Sequence, residues 1–335
     1  MPRPTPVQST CPPVHQPSVA QAFTLADALG VDAIIVPPAQ HRRSFNHSTT
    51  DSSVYYNASA STLLDMPAIR DAWAPLGIRV LEEGVHAEDQ EWRGCVAAHL
   101  HNPPAPPYVP PGLQTGLGNL IARVRSLIGD AWRSHGTQAC VVVHAGELLF
   151  ALRTQTSANL TAAAAGRLAF APGIEALALE VADGIGGPYN GAHLRVEKDM
   201  GLNPMDVMPN YVAAMQLQAF NASMPVYVAS GLLTYNDTQG LQSLSKYMLS
   251  SGVASRVVVK EQLLPPADLE GLHSEQRALL DLLVLARAQR FVGHRVSTFS
   301  HYTTQYQLLR NGDSSRAALL NHPGTDFWHE FMVRS

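Results

Sequence analysis

Apolar positions along the chain recur at helical spacing in several segments, and a short apolar run follows each of them. Residues 18–29 have this spacing, and Gly30 separates them from the apolar run over 33–36, which two prolines close. A helix followed by a short buried strand is the repeating unit of a parallel α/β sheet. The pattern continues through the first half, with helices predicted over 66–73 and 117–133 and strands over 78–81 and 139–143.

The second half repeats this alternation more regularly and predicts a doubly wound sheet. In such a sheet, ligands bind at the carboxyl ends of the strands. Candidate binding residues are therefore those that follow the predicted strands. Helices are expected over about 174–181, 206–219, 238–250, 274–287 and 299–309, and strands over 192–196, 225–229, 256–259 and 291–292.

Prolines mark two segments that do not fit the alternation. The first 16 residues hold five prolines and show no periodicity, so residues 1–17 are predicted to be a flexible lead-in. Residues 103–111 hold six prolines, which exclude a helix or a central strand and predict a stiff surface loop. The remaining chain is predicted to form an N-terminal domain over 18–172 and a C-terminal domain over 173–335.

Composition narrows the class of protein. The chain has 335 residues, enough for two ordinary domains, and its 46% hydrophobic and 15% charged residues suit a buried core. A net charge of −4 argues against nucleic acid as the main partner. The sequence has no run of about 18 apolar residues, so no membrane span is expected. Its first residues also lack the apolar segment of a signal peptide.

Two features bear on the cellular compartment. Three cysteines are too few and too scattered for a metal knuckle or a disulfide framework, so they leave the redox environment open. Sequons of the form N-x-[ST] occur five times, where roughly two are expected by chance. This modest excess favours a chain that meets the glycosylation machinery, although Ser/Thr-rich loops explain it equally well. The cysteines are Cys11, Cys95 and Cys140, and the sequons begin at Asn46, Asn57, Asn159, Asn221 and Asn236.

The first candidate site lies in the segment His193-Leu-Arg-Val-Glu-Lys-Asp199. If 192–196 is a strand, His193 and Arg195 point to the same face, because side chains alternate along a strand. An imidazole beside a guanidinium suits an anion, and Arg offers a planar fork for phosphate oxygens. The alternative is a strand edge followed by a solvated run of charges.

Two further segments carry candidate binding groups. Asp281 interrupts an apolar helix, so its carboxylate either faces solvent or is buried with a hydrogen-bond partner. Ser297, Thr298 and Phe299 stand between a predicted strand and a predicted helix. Their hydroxyls can cap that helix without any ligand, and the free N–H groups of a helix start can equally hold a phosphate.

Other motifs are absent or incomplete. Gly116-Leu-Gly118 follows a proline-rich loop rather than a strand, and it lacks the third glycine of a dinucleotide fingerprint. His99 and His101 have no convincing third ligand, so no metal site is predicted. The sequence contains no D-x-D, which argues against a sugar-nucleotide transferase that holds a divalent metal through that motif.

Taken together, the three candidate segments resemble the GDP-fucose protein O-fucosyltransferase family and its plant and algal relatives. That family has an H-x-R-x-x-x-D motif on a strand, matched here by His193, Arg195 and Asp199. It continues with an Asp-bearing helix, matched by Asp281. A strand then leads to an S-T-F turn, matched by residues 297–299.

The resemblance is strong over 174–312, moderate over 20–82 and weak in between. It implies a GT-B enzyme, in which two Rossmann-like doubly wound domains face a cleft and the second mainly holds the donor. It further implies transfer of fucose from GDP-fucose to a protein or glycan hydroxyl, in the secretory pathway. Such enzymes need no metal or cofactor, in agreement with the missing D-x-D.

The resemblance also implies a role for each candidate residue. Arg195 binds the donor pyrophosphate and stabilises the GDP leaving group, and His193 lies beside it near the nucleotide. Asp281 accepts hydrogen bonds from the guanine N1–H and amino group, as a carboxylate can. Residues 297–299 hold the β-phosphate through two hydroxyls and a backbone N–H, and Asp199 completes the substrate-binding set.

One element of the family's pattern is missing from this sequence. The family places a glycine-rich G-G-x-x-N-Q loop before the first helix, whereas residues 12–17 here read Pro-Pro-Val-His-Gln-Pro. Weak binding of GDP-fucose or slow turnover is therefore expected. The alternative functions are a non-catalytic member that binds a nucleotide sugar or a partner protein, and a transferase of another GDP-sugar.

Overall fold

The computed structural model describes residues 7–8, 16–42, 55–83, 92, 94–99, 117–136, 140–144, 163–164, 166–196, 204–234, 237–294, 297–311 and 316–320. These residues form two compact units. The first includes residues up to His41 and from Tyr55 to Ala171. The second includes the residues from Pro172 onward, together with Arg42.

The first unit is an α/β layer around a five-stranded parallel sheet. Its elements are, in chain order, β1 (Val7–Gln8), α1 (Gln16–Leu29), β2 (Ala33–Val36), β3 (Ala39–Arg42), β4 (Tyr55–Ala58), α2 (Met66–Trp73), β5 (Arg79–Glu82), β6 (Val96–His99), α3 (Leu117–His135) and β7 (Val141–His144). The strand order in the sheet is β5-β2-β1-β7-β6, and each neighbouring pair is parallel. Strands β3 and β4 form a separate two-stranded sheet.

Helix α2 shows how the sequence determines one of these elements. The carboxylate of Asp65 precedes the helix and accepts a hydrogen bond from the backbone N–H of Ala68 at 3.0 Å, which caps its start. The chain leaves the helical segment at Gly77, whose φ of 73° suits a residue without a Cβ. Trp73 packs edge-on against Phe23 with ring centroids 4.7 Å apart, so α2 is fixed against α1 by buried aromatic surface.

The second unit is a doubly wound α/β layer. Its elements are α4 (Pro172–Ile185), β8 (Asn190–His193), α5 (Pro204–Leu217), β9 (Val226–Ala229), α6 (Thr238–Ser250), β10 (Val257–Val258), α7 (Pro266–Glu270), α8 (Ser274–Leu285), β11 (Phe291–His294), α9 (Thr298–Asn311) and β12 (Ala317–Leu320). The strand order is β10-β9-β8-β11-β12, and all neighbouring pairs are parallel. The order reverses between β8 and β11, so the crevice expected of such a sheet lies at their carboxyl ends.

Close packing holds α8 against β8. A Cβ added to Gly191 would lie 2.7 Å from Leu285 Cδ2 and 3.0 Å from the Cβ of Ala288, so only glycine fits there. Tyr189 Oη donates a hydrogen bond to the carbonyl of Val284 at 2.7 Å. The sheet side chains of the second unit also pack on α5 and α6 through a cluster of buried apolar residues: Ala192, Val207, Met208, Tyr211, Val212, Met215, Val226, Val228, Leu244 and Met248.

The predicted flexible lead-in over 1–17 is wrong for part of that segment. Val7 and Gln8 form β1 at the centre of the first sheet, and α1 begins already at Gln16. The prolines on either side of β1 remove local regularity, but β1 is paired with β2 on one side and β7 on the other. Pairing with two neighbours therefore outweighs a local sequence that favours no strand.

The expectation about the cysteines also needs a correction, because Cys95 and Cys140 form a disulfide with Cα atoms 4.6 Å apart. They precede β6 and β7, which are parallel neighbours, and the N–H of Val96 donates to the carbonyl of Cys140 at 2.8 Å. The sheet thus brings together two residues that are 45 positions apart in the chain. Cys11 and the predicted loop over 103–111 lie outside the described residues.

The sequence predicts no membrane span, and the described helices can be compared with that expectation. None of them has the length and the apolar character that a bilayer span requires.

Candidate functional site

The carboxyl ends of β8 and β11 carry a buried polar cluster. His193 is the last residue of β8, and its Nδ1 lies 2.7 Å from the Oγ of Ser300. The backbone N–H of His294, the last residue of β11, donates to the same Oγ at 2.8 Å. Phe299 packs against the His193 ring with centroids 4.6 Å apart. Two adjacent strand ends and the start of α9 therefore meet at the point where the strand order reverses.

The environment of His193 keeps its imidazole neutral. Burial lowers its pKa to about 3, with smaller contributions from the charges of Arg195 and His294. Only 8% of the residue is exposed. At neutral pH the ring can therefore hydrogen-bond to a ligand, but it does not supply a positive charge.

Arg195 is held by its backbone just beyond the strand. The apolar pattern predicts a strand over 192–196, but β8 ends at His193, so strand alternation is not what places Arg195. Instead, the N–H of Leu194 donates to the carbonyl of Ala229 at 3.0 Å, and the N–H of Arg195 donates to Tyr211 Oη at 3.0 Å. The positive charge of Arg195 contributes to the lowered pKa of His193.

The start of α9 lies directly after β11. Ser297 is buried, and its N–H donates to the carbonyl of His294 at 3.0 Å in the turn that leads into the helix. The first N–H groups of a helix have no partner within it, and the helix dipole favours an anion there. The backbone of Thr298 and Phe299 belongs to this first turn. The side chain of Thr298 lies outside what the structure describes, as does the whole of Asp199.

Asp281 lies apart from this cluster, in a second buried polar group. Its Oδ1 accepts a hydrogen bond from Tyr227 Oη at 2.5 Å, and its Oδ2 accepts one from Lys260 Nζ at 2.6 Å. Lys260 also lies 3.4 Å from a carboxylate oxygen of Glu261. Of the two readings left open by the sequence, solvent exposure and burial with a partner, the structure shows the second.

Burial and the neighbouring charges shift the pKa values of Lys260, Asp281 and Tyr227. Burial alone would lower the pKa of Lys260, but the carboxylates of Asp281 and Glu261 raise it overall, so the amine is protonated. Burial raises the pKa of Asp281 above its usual value; the ammonium of Lys260 opposes that rise, and the carboxylate of Glu261 adds to it. Burial and the neighbouring carboxylate raise the pKa of Tyr227 well above its usual value, so it remains a hydrogen-bond donor.

Sequence reasoning missed four side chains of these two clusters as functional candidates. In the sequence, Ser300 is only the residue that follows the S-T-F run. Tyr211 and Tyr227 lie within a predicted helix and a predicted strand, where the pattern indicates ordinary core residues. Lys260 and Glu261 form a Lys-Glu pair that resembles one in the plant members of the family, but the sequence assigned that pair no role. Within the described part of the chain, no group of three or more His, Cys, Asp or Glu side chains is arranged to hold a metal ion.

Solved structures with the same fold have low sequence identity to this chain. POFUT1 in complex with GDP-fucose matches with a TM-score of 0.59 and 14% identity, over 95% of this chain and 99% of that one. POFUT1 in complex with GDP matches with a TM-score of 0.57 and 13% identity, over 96% and 99%. The fucosyltransferase NodZ from Bradyrhizobium matches with a TM-score of 0.50 and 15% identity, over 90% and 93%. These likenesses show the α/β fold with parallel sheets.

Comparison of the sequence with protein families gives the assignment. No curated protein matches the chain significantly. The family model described as GDP-fucose protein O-fucosyltransferase matches residues 138–309, which is just over half of the chain. That stretch contains β7 through most of α9, and hence both buried clusters. The chain therefore belongs to the GDP-fucose protein O-fucosyltransferase family, a family of fucose-transferring glycosyltransferases.

Proposed function

We propose that this protein binds GDP-fucose at the carboxyl ends of β8 and β11 and transfers fucose to a hydroxyl of a protein or glycan. The observation that carries the proposal is the meeting of His193, Arg195 and the start of α9 where the strand order reverses. Nucleotides bind at such points in doubly wound sheets. The family assignment supplies the donor, and the POFUT1 and NodZ structures contain it or GDP in proteins of the same fold.

Arg195 is the residue to which we assign the diphosphate. Its guanidinium is partly exposed at the strand end, while its backbone is anchored by Tyr211. The free N–H groups of α9 approach the same region, with Ser297 in the preceding turn and Thr298 and Phe299 in the first turn. Two kinds of anion-binding group thus converge on one place, without a charge on His193.

The same groups explain how transfer is accelerated. As the bond between fucose C1 and the β-phosphate oxygen breaks, positive charge develops on the sugar and negative charge on the departing GDP. A fixed guanidinium and helix N–H groups bind the departing diphosphate more strongly than the intact donor, so they lower the barrier. The electron pair of the broken bond leaves with GDP, and the acceptor hydroxyl bonds to C1 and loses its proton. Asp199, the last residue of the H-x-R-x-x-x-D motif, is proposed to complete the donor-binding set.

Asp281 is proposed to recognise the guanine base. Each oxygen of a carboxylate has two acceptor positions, and Tyr227 and Lys260 occupy one on each. The remaining positions can accept the guanine N1–H and amino group together, which a uracil or adenine edge cannot match. In this arrangement Lys260 and Tyr227 orient the carboxylate and oppose the rise in its pKa that burial causes.

The architecture that fits this chemistry is GT-B. The presence of two units, each built on a five-stranded parallel sheet, supports this proposal, because a GT-B enzyme has two Rossmann-like halves. We assign the first unit, which includes β1 and extends to Ala171, to the acceptor side, and the second unit, from Pro172 onward, to the domain that holds the GDP-sugar. The missing D-x-D motif supports a reaction in which no metal ion participates.

The secretory pathway is the proposed location, and two observations support it. Disulfides such as Cys95–Cys140 form and persist in oxidising compartments. The sequon at Asn221 lies in an exposed turn, in which Ser223 Oγ donates to Asn221 Oδ1 at 2.5 Å and the Ser223 N–H donates at 2.9 Å. In the sequon at Asn57, by contrast, the hydroxyl of Ser59 donates to the buried carboxylate of Glu82.

Secretion of the full chain behind a leader peptide tests whether the Asn221 sequon is accessible to the glycosylation machinery. Removal of N-glycans should lower the mass of the wild-type chain, and Asn221→Gln should lose one glycan. Asn57→Gln is the control variant, because the Ser59 hydroxyl of that sequon donates to Glu82. A chain that is secreted without a glycan on Asn221 would contradict the interpretation of this turn.

Two other functions remain as alternatives to fucose transfer. A non-catalytic member would bind the nucleotide sugar without turnover, as the missing glycine-rich loop suggests. A transferase of another GDP-sugar is also consistent with the role proposed for Asp281, because its carboxylate would bind the guanine base of GDP-mannose equally well.

Release of GDP with water as the acceptor separates these functions. The full chain is incubated with GDP-fucose, GDP-mannose or UDP-glucose, and the free nucleotide is measured. If the proposal is correct, GDP is released slowly from GDP-fucose, and no nucleotide is released from GDP-mannose or UDP-glucose. GDP binding with no release from any donor would show a non-catalytic member, and faster release from GDP-mannose would show a different sugar specificity.

A further inference from the structure

The hydroxyl of Ser300 connects the two strand ends of the donor site. Its Oγ lies 2.7 Å from Nδ1 of His193 and 2.8 Å from the backbone nitrogen of His294, and the residue is fully buried. Gly293 makes room for it, because a Cβ there would lie 2.7 Å from both the Cβ and the Oγ of Ser300. Ser300 is therefore held in place by His193, by the backbone of His294 and by close packing on Gly293.

The hydrogen bonds of Ser300 determine where the His193 proton lies. The backbone N–H of His294 can only donate, so it uses an acceptor position of the hydroxyl oxygen and leaves the hydroxyl proton to be donated. Nδ1 of His193 is the acceptor within reach in the described structure. If Nδ1 carried the proton instead, the buried Ser300 hydroxyl would lose its acceptor, and an unsatisfied buried donor is costly.

Resting on the proposed function, we infer that Ser300 is a positioning residue that holds His193 in the neutral tautomer with its proton on Nε2, ready to donate to an oxygen of the bound nucleotide. The lowered pKa of His193 agrees with a neutral ring. Phe299 packs on that ring and limits its rotation. No contact from the described residues occupies Nε2, so its proton is available to a ligand.

This assignment has a consequence for the chemistry. A protonated Nε2 cannot accept the proton of the acceptor hydroxyl, so His193 acts as a hydrogen-bond donor and not as the catalytic base. The neutral His193 ring also lies beside the cationic Arg195. Both side chains can therefore contact the nucleotide without repelling each other. The second partner of a functional histidine commonly fixes its tautomer in this way.

Nitrogen-15 NMR of the full chain with labelled histidine tests the tautomer without any ligand, and His193→Gln identifies the signal. We expect an unprotonated Nδ1 and a protonated Nε2 at pH 7. A protonated Nδ1 in the wild-type chain would overturn the inference. Ser300→Ala should allow both tautomers, whereas Thr303→Ala, which removes another buried hydroxyl from α9, should leave the His193 signal unchanged.

Nucleotide binding then separates the inference from the proposed function. Ser300→Ala should raise the Kd for GDP about tenfold, the low end of what loss of an orienting partner costs in comparable histidine sites. Thr303→Ala should leave the Kd within about twofold, well inside that effect. Loss of the fixed tautomer with an unchanged Kd would overturn the donor role of His193. Failure of the wild type to bind GDP would overturn the proposed function, while the NMR result would still decide the tautomer.

Discussion

Oδ2 of Asp281 and Nζ of Lys260 lie 2.6 Å apart in the interior of the second unit. Both residues are more than nine-tenths buried, and each neutralises a charge that would be costly there alone. The pair joins α8 to the short helical turn at 260–262 that follows β10. Asp281 therefore has a structural role in addition to the guanine recognition proposed for it.

Substitution of Asp281 should affect both roles, and a double variant can separate them. Asp281→Asn leaves the Lys260 ammonium with only the more distant carboxylate of Glu261, so the free energy of unfolding should fall by up to about 3–5 kcal/mol. Replacing both residues by apolar ones, Asp281→Leu with Lys260→Met, should restore part of that stability, because it removes the buried charges but leaves the Tyr227 hydroxyl without its acceptor. GDP affinity should remain lost in the double variant. Denaturant unfolding and GDP titration measure the two effects, with exposed Asp268→Asn as the control. Recovery of GDP binding along with stability would contradict guanine recognition.

Arg195 is expected to matter for turnover. Its side chain is partly exposed, and its fixed contact with Tyr211 is made by the backbone N–H, which Ala retains. Arg195→Ala should lower kcat for GDP-fucose by about 10²–10³, the usual cost of removing a group that stabilises a developing negative charge. The melting temperature of the variant is measured alongside, so that a loss of folding is not mistaken for a loss of turnover. The control is Arg133→Ala, which removes an exposed guanidinium from α3. If Arg195→Ala retained kcat within a few-fold, the leaving-group role would be wrong.

The neutral His193 predicts a dependence of stability on pH. Its folded pKa of about 3 lies below the ordinary value of 6.5, because of burial and the charges of Arg195 and His294. As the pH falls from 6.5 towards 3, the unfolded chain takes up a proton that the folded chain does not, so stability is lost. The slope from this one residue approaches ~1.4 kcal/mol per pH unit. His193→Gln should show a correspondingly shallower decline between pH 6 and 4.5, and equal slopes for the two proteins would refute a neutral buried ring.

Gly191 provides a test of the packing between β8 and α8. A Cβ there would lie 2.7 Å from Leu285 Cδ2 and 3.0 Å from Ala288 Cβ, both in buried surroundings. Gly191→Ala should therefore cost about 1–3 kcal/mol of stability through overpacking. Gly173→Ala, in the exposed first turn of α4 with no atom near the added Cβ, should cost nothing or stabilise. Equal stability of the two variants would show that α8 can move away from the sheet.

Local sequence patterns predicted much of the second unit and less of the first. Helix 238–250 was predicted with its observed ends, because Asp237 caps its start and an apolar stripe continues to the last turn. Strand β1 could not be predicted, since two residues among prolines become a strand only through pairing with β2 and β7. The Cys95–Cys140 pair likewise depends on the register of two parallel strands.

The candidate site was predictable as a set of motifs but not as a geometry. The S-T-F run was expected at a helix start, and α9 does begin at Thr298. The partners of Asp281 were not predictable, because Tyr227 and Lys260 lie 54 and 21 positions away and meet it only through the order of the strands. The role of Ser300 requires the approach of β8 to β11, which no local pattern encodes.

Calorimetric titration of the full chain with GDP tests the central claim most directly. The account predicts binding of GDP that EDTA does not weaken, together with UDP binding at least about tenfold weaker, since a carboxylate that pairs with guanine is left unmatched by uracil. The same titration with Arg195→Ala should show markedly weaker binding. Equal affinity for GDP and UDP, or no binding of either by a folded chain, would contradict a guanine-nucleotide site at the carboxyl ends of β8 and β11.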